Sequence, residues 1–416
     1  MLTREENERL TIVGPHTPGG ELLRRYWQPA ALSEELPPGG APLPVRLLCE
    51  DLVLFRDEHG QPGLLGIHCA HRGADLSYGR VEDAGLRCIY HGWLYDIHGR
   101  CLEQPGEPAG STFHERVRHL AYPCQEVGGL ILAYLGPGTP PLVPAYEFLQ
   151  APVERRFNTK IYQECSYLQA NEGNTDSVHV PFLHRVAGRW GPSPSSATRR
   201  IEMVMEPEET EFGVRVLRME PRTDDTVQTN IGNFIMPNLS AIPAGRRDGY
   251  EAVWHVPIDD ESHWKYAVQF NRSQPMDRER EGDHRAEMTA DYRLLRNRAN
   301  RYLQDREEMK GQAFAGLGNC FQTQDACATE GQGAIQDRTQ EHLGSTDRAI
   351  LLIRTMLLRA IGDVQAGREA PHVVRDPAAN HFPNLLVWTE RVPASTDWRA
   401  HLRAKIAACE AQVDPG

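Results

Sequence analysis

Residues 69–96 read CAHRGADLSYGRVEDAGLRCIYHGWLYD, and their reading decides the fold. Cys69 and His71 stand one residue apart, Cys88 and His91 two apart, with sixteen residues between the pairs. In a chain with 9 cysteines and 17 histidines either pair alone is weak, whereas both within one hairpin's length are not accidental. The surrounding texture is that of short strands: Val45–Leu48, Leu52–Phe55, a turn at Arg56–Gly60, then Gly63–Ile67, Leu94–Ile97 and Gly129–Leu135. These runs predict a compact all-β unit over residues 44–140. It is closed by Pro137-Gly-Thr-Pro-Pro141, which can hold neither helix nor central strand.

Two thiolates and two imidazoles suit a structural zinc site or a Rieske [2Fe–2S] cluster, in which two histidines replace two cysteines on one iron. A single residue between Cys69 and His71 is tighter than a zinc knuckle uses. In the cluster each loop gives a cysteine to one iron and a histidine to the other, so the tight spacing fits. The flanks Arg72-Gly73 and Gly92-Trp93 supply a turn and an apolar cover.

A second constellation lies at residues 169–184, QANEGNTDSVHVPFLH. Asp176 and His179 share a helix face. His184 lies about 140° round an ideal helix from His179, so the two converge only where the helix is broken, and Pro181 sits between them. Two histidines and a carboxylate form the facial triad of mononuclear non-haem iron(II); an isolated pair of this spacing reads as readily as two core or surface histidines. The third ligand must come from far downstream, with Asp325, Glu330 and Asp337 as candidates in FQTQDACATEGQGAIQDRTQEHLGSTD, residues 321–347.

Residues 1–43 read as a leader packing on the larger domain, a short polar helix followed by a break at Pro18-Gly19-Gly20. Beyond residue 140, Ile161–Leu168 reads as strand and Gln169–Leu183 as an irregular helix. Ile201–Met205, Val214–Leu217, Ala252–Val256 and Trp264–Phe270 read as strands, about 276–310 as a charged helix, and Thr346–Ala366 as an amphipathic helix capped by Ser345 or Thr346. Strands followed by helices predict an α+β domain over 141–416. A formal charge of −12 argues against nucleic acid. No apolar run reaches membrane-spanning length, and Ala349–Ile361 is interrupted by Arg354 and Arg359. The first eight residues carry no secretory pattern, so a cytoplasmic location is expected, with the remaining cysteines as thiols.

The segments 69–80 and 86–96 resemble the Rieske region of ring-hydroxylating oxygenases, and EGNTDSVHVPFLH resembles the D-x2-H-x4-H iron motif of their α subunits in the phthalate-dioxygenase-like subgroup. The respiratory Rieske protein carries an extra cysteine pair where Ala74 and Tyr90 stand here. The resemblance implies an all-β Rieske domain plus a larger catalytic domain of helix-grip (START-like) type. It implies Cys69, His71, Cys88 and His91 as cluster ligands, His179, His184 and Asp325 as iron ligands, and Asp176 as a carboxylate bridging to the cluster of a neighbouring subunit. Ser166-Tyr167 departs from the Asn-Trp of many relatives. The implied reaction is O2-dependent hydroxylation or O-demethylation of an aromatic acid or aryl ether, or cis-dihydroxylation of a phthalate-like carboxylate. Arg185 and Arg189 are candidate carboxylate clamps. No nucleotide-binding glycine fingerprint appears, so NAD(P)H oxidation is assigned to a separate reductase carrying flavin, ferredoxin or both. A homotrimer, or a multiple of trimers, is implied. The competing readings are a Rieske-type electron carrier, which needs no second site, and a zinc-stapled binding protein.

Overall fold

The computed structural model describes residues 1–82, 85–187, 202–222, 224–244, 248–277 and 287–411. Helix α1 (Arg4–Thr11) starts with a capping box between Thr3 and Glu6. Thr17 caps α2 (Pro18–Leu23), with Pro18 in its first turn. The Pro-Gly-Gly stretch therefore begins a helix and does not break one, because the missing proline donor costs nothing in the first turn.

Three small antiparallel sheets follow. β1 (Gln28–Leu32) pairs with β11 (Leu130–Ala133), which pairs with β10 (Cys124–Val127). The second sheet runs β2 (Leu43–Leu47), β3 (Glu50–Arg56), β4 (Pro62–Gly66), β9 (Ala121–Tyr122). The third runs β5 (Arg80–Glu82), β6 (Gly85–Arg87), β7 (Leu94–Tyr95), β8 (Cys101–Glu103). Strand β3 is buried on both faces, and its alternation sorts side chains between two cores. Val53 and Phe55 join Leu65, Trp93, Tyr95, Cys69 and Cys88. Leu52 and Leu54 join the main core, shared with the leader and the larger domain.

After a single-turn α3 (Glu147–Gln150), an eight-stranded antiparallel sheet forms the larger domain. Its order is β12 (Arg156–Gln163), β18 (His263–Asn271), β17 (Gly249–Pro257), β16 (Leu239–Ile242), β15 (Thr226–Ile235), β14 (Gly213–Pro221), β13 (Val204–Thr210). The short β16 covers only Asn233–Ile235 of β15; β19 (Trp388–Pro393) pairs with Thr226–Ile231 and completes that edge.

Helix α4 (Tyr167–Thr175) lies against β15, β16 and β17 and touches α6 (Phe321–Glu330) and α7 (Arg348–Gln365). A single turn, α5 (Val180–Leu183), follows it, and α8 (Trp398–Ala411) closes the described chain. Asp347, not Ser345 or Thr346, occupies the N-cap position of α7. Residues 287–310 hold bends and short 3-10 turns in place of the expected charged helix, and residues 278–286 of that stretch lie outside the described residues.

A buried ionic network fixes α4. The Glu172 carboxylate accepts from Arg338 (3.1 and 3.4 Å) and from Arg354 (2.7 and 3.0 Å). Arg354 also donates to Glu341 (2.6 and 2.8 Å), and Arg338 to Asn7 of α1 (3.1 Å). Tyr167, at the departure from the relatives' pattern, is buried and donates its hydroxyl hydrogen to the Leu10 carbonyl (2.9 Å). Among the described residues no helix is long and apolar enough to cross a membrane.

Candidate active site

The two loops that carry Cys69 and Cys88 share one backbone scaffold. In each, the amide four residues after the cysteine donates to the cysteine carbonyl: Gly73 to Cys69 at 2.8 Å, Gly92 to Cys88 at 3.0 Å. In each, the cysteine amide donates to the carbonyl five residues on, Ala74 and Trp93, both at 2.8 Å. The turn needs a left-handed residue, and Gly73 and Gly92 supply it with φ of 74° and 75°. Only the histidine offset differs. The imidazoles of His71 and His91 meet at 4.4 Å between ring centres, and Trp93 stacks on His71 at 4.4 Å.

Both cysteines are buried, and Cys69 Sγ lies 3.2 Å from the Tyr95 hydroxyl. Burial, then the neighbouring Cys69, pushes the Cys88 thiol up. His71 Nδ1 is buried with no hydrogen-bond partner, as expected of a nitrogen whose natural partner is a metal. The four side chains thus fit a [2Fe–2S] group. His91 is partly exposed, with the exposed Tyr90 ring against it at 3.8 Å between ring centres.

The second site is built where α4 ends. Asp176 is its C-cap in an extended conformation, and the chain restarts as α5, with His179 and His184 at that helix's two ends. The break precedes Pro181, which sits in the first turn of α5. His179, His184 and Asp325 of α6 each offer a ligand atom within 4.8 Å of the others. Asp325 Oδ1 lies 3.0 Å from His184 Nε2 and 3.8 Å from His179 Nε2. On its other side His179 Nδ1 faces Asp176 Oδ2 at 3.5 Å.

The proton positions follow from the neighbours. The Gln324 amide nitrogen donates to the Gly318 carbonyl (2.6 Å), so its oxygen must accept, and His184 Nδ1–H donates to it at 2.8 Å. The lone pair of His184 therefore sits on Nε2, which is fully buried and without a hydrogen-bond partner although a carboxylate oxygen faces it. Lone pairs that converge in this way fit a divalent cation. Burial pushes the Asp325 carboxyl up, but Lys265, His184 and His179 outweigh it and hold it well below the usual range. His179 is raised overall: burial lowers it, and Asp176 and Asp325 more than compensate.

The other carboxylate candidates go elsewhere. Glu330 is buried, accepting from the Glu164 amide (3.0 Å) and the Tyr302 hydroxyl. Asp337 is exposed and accepts from Thr339. Arg185 does not line the cavity described next, and Arg189 lies outside the described residues.

A cavity of about 1800 Å³ opens over the triad, bounded by Asp176, His179, Phe321, Asp325 and the concave face of the large sheet. Phe321 stacks on His184 with ring centres 3.4 Å apart. Arg218 of β14, four-fifths buried on its side chain, projects into it. Arg218 and Arg222 share one carboxylate, Glu220, at 3.6 and 3.1 Å. With the Asn230 amide turned so that its nitrogen donates to Thr389 Oγ1 (2.8 Å), its oxygen accepts from Arg218 Nε and Nη2 at 3.2 Å. Sequence reasoning missed Arg218, Gln324 and Lys265, whose ammonium lies 3.4 Å from Asp325 Oδ2. None has a motif neighbour, and strand alternation alone does not say which face becomes a cavity.

Comparison with known proteins gives the family of each part of the chain. Residues 26–121 match the family described as Rieske [2Fe-2S] domain, and residues 133–414 the one described as LigXa C-terminal domain like. The chain is 35% identical over 403 residues to the phthalate 4,5-dioxygenase oxygenase subunit of Pseudomonas putida, covering 89% of this chain and 88% of that one. It is 35% identical over 395 residues to the 5,5'-dehydrodivanillate O-demethylase oxygenase subunit of a Sphingobium species, covering 91% and 85%. The crystal structure of dicamba monooxygenase bound to dicamba shares the fold, with a TM-score of 0.61, 18% identity and coverage of 83% of this chain and 99% of that one. The cofactors that follow are a Rieske [2Fe–2S] cluster and a mononuclear iron, with O2 as cosubstrate. With residues 26–121 matching the cluster domain and residues 133–414 matching the catalytic domain of such oxygenases, the chain belongs to the Rieske non-haem iron oxygenases, as an oxygenase subunit.

Proposed function

We propose that this oxygenase acts on an aromatic carboxylate, hydroxylating or O-demethylating it. The observation that carries the proposal is the pairing, in one cavity, of the His179–His184–Asp325 triad with two guanidiniums that share a single carboxylate. The buried Arg218 is under-neutralised, and an arene carboxylate would supply the missing anion bidentately.

In this reading Cys69, His71, Cys88 and His91 hold the cluster, and His179, His184 and Asp325 hold the iron. When bound, the cluster supplies electrons singly and the iron supplies oxygen activation. The chain's own groups do the rest. Gln324 keeps the His184 proton on Nδ1 and its lone pair on Nε2. Asp176 orients the His179 ring through Nδ1. Arg218, held by Asn230, positions the substrate's charged end, while Phe321, Val216 and Ile242 form apolar wall that excludes water from the ring.

The partly exposed His91, next in the chain to the exposed Ile89 and Tyr90, supports a face covered by another subunit, and we place the chain in a homotrimer in which Asp176 meets the neighbour's cluster domain. Electrons come from a separate reductase, and the chain works in the cytoplasm. We assign 44–140 to the cluster domain, 141–416 to the catalytic domain, and 1–43 to a leader packed on the latter, consistent with α1 and α2 lying on α7. Oxygen uptake with a generic reductase, across aromatic acids and neutral methoxyarenes with products identified by mass, tests the substrate class. Turnover of carboxylates is expected; turnover confined to neutral arenes would overturn it.

A further inference from the structure

Lys265 on β18 is buried, and its ammonium has one partner among the described residues, Asp325 Oδ2 at 3.4 Å. The other oxygen of the same carboxylate, Oδ1, faces His184 Nε2 at 3.0 Å and His179 Nε2 at 3.8 Å. The carboxylate is thus divided, one oxygen toward the imidazoles and one toward the lysine. We infer that Lys265 is a positioning residue that withholds Oδ2 from the metal, so that Asp325 offers a single oxygen and a coordination position stays open. The inference rests on the metal-site reading proposed above.

Charge explains why this is not a device for holding the metal. A buried cation beside a divalent ion repels it, so Lys265 weakens binding unless its effect is geometric. Among the described residues the acids paired with the triad histidines are Asp325 itself and, behind His179, Asp176, and neither needs a lysine to remain ionised next to a dication. A methionine of similar length would fill the same space on β18 without a desolvation penalty. Carboxylates bind hard divalent ions through one oxygen or both, and the second bond requires that both be free. An ammonium on Oδ2 prevents this at one oxygen only, leaving a site for solvent or O2 in place of the second carboxylate bond.

The experiment uses the holoenzyme with its cluster intact and Mn(II) exchanged anaerobically into the mononuclear site. Broadening of the Mn(II) resonance by water enriched in the magnetic oxygen isotope counts the solvent molecules on the ion. Lys265→Met is expected to carry fewer exchangeable waters than wild type and to bind Mn(II) about tenfold more tightly, while Lys265→Arg keeps the wild-type water count. An equal water count in Lys265→Met, or weaker Mn(II) binding, would overturn the inference. If Lys265→Met loses the fold, Mn(II)-loaded crystals of the wild type decide: one Asp325 oxygen on the ion supports it, and two overturn it. A wild-type chain that binds no Mn(II) at all would instead overturn the metal-site reading, a result distinct from unchanged hydration of a bound ion.

Discussion

Replacing Gln324 by leucine should weaken the mononuclear metal site without touching a ligand. Gln324 is 2% exposed, and its amide is locked by the Gly318 carbonyl, so its oxygen is the acceptor of His184 Nδ1–H. Leucine removes that acceptor. Either Nδ1–H remains buried and unsatisfied, costing about 1–3 kcal/mol, or the proton moves to Nε2 and blocks the ligand atom. Metal binding forces the first outcome and the metal-free form relaxes to the second, so the difference of about 1–3 kcal/mol lowers the affinity roughly 5–150-fold. Gln324→Glu keeps the acceptor for His184 Nδ1–H but loses the donor to the Gly318 carbonyl, so its affinity should fall less than that of Gln324→Leu. Competitive titration with Co(II) and a chromophoric chelator, the cluster absorption serving as an internal check of folding, measures both. An unchanged Co(II) affinity in Gln324→Leu would refute the assignment of the His184 proton and the argument that follows from it.

Other consequences are direct. Arg218→Gln should raise KM for aromatic carboxylates about tenfold or more, with little change for neutral arenes; parallel steady-state kinetics on both classes check it. Glu172→Gln removes the carboxylate that Arg338 and Arg354 share, leaving Arg354 on Glu341 and Arg338 on the neutral Asn7, and should cost about 3–5 kcal/mol in urea unfolding. Burial pushes the Glu172 carboxyl up, but the two arginines outweigh it and hold it below the usual range. Its stabilisation is therefore present above the unfolded value of about 4.3 and lost as pH falls through the folded one, so the stability gap to the variant should narrow in acid. Asp176→Ala should abolish turnover while both metal centres remain bound by metal analysis, because it orients His179 and is not among the three converging ligand atoms.

The parts of this molecule that the amino-acid order reveals are those whose chemistry is local. Cys69, His71, Cys88 and His91 lie on two loops of identical hydrogen bonding, and that identity is written in the glycines that follow each histidine-bearing turn. A break near this motif was readable, but not its place: the helix breaks between Asp176 and His179, and His179 and His184 stand at the two ends of one continuous turn that holds Pro181. The third carboxylate was not decided by spacing, since three acids on one stretch are equivalent until α6 is packed against α4. Strand β15 was hidden because Gln228 and Asn230 line the cavity where an ordinary strand would be apolar, and Thr229 between them is buried. The charge-rich stretch after residue 276 looked helical by composition, yet Asn297 caps a kinked 3-10 turn there, with Arg301 and Tyr302 in left-handed backbone. Lys265 shows the limit most clearly: a lysine in a strand reads as a solvated edge, and only the approach of Asp325, 60 residues away, turns it inward.

Metal and sulfide analysis of the purified chain tests the central claim most directly. The account predicts about three irons and two acid-labile sulfides per chain, falling to about two irons in His184→Ala with the cluster absorption intact, and to about one in Cys69→Ser with that absorption lost. A colourless protein holding zinc, or a wild type whose iron is confined to the cluster, would contradict it.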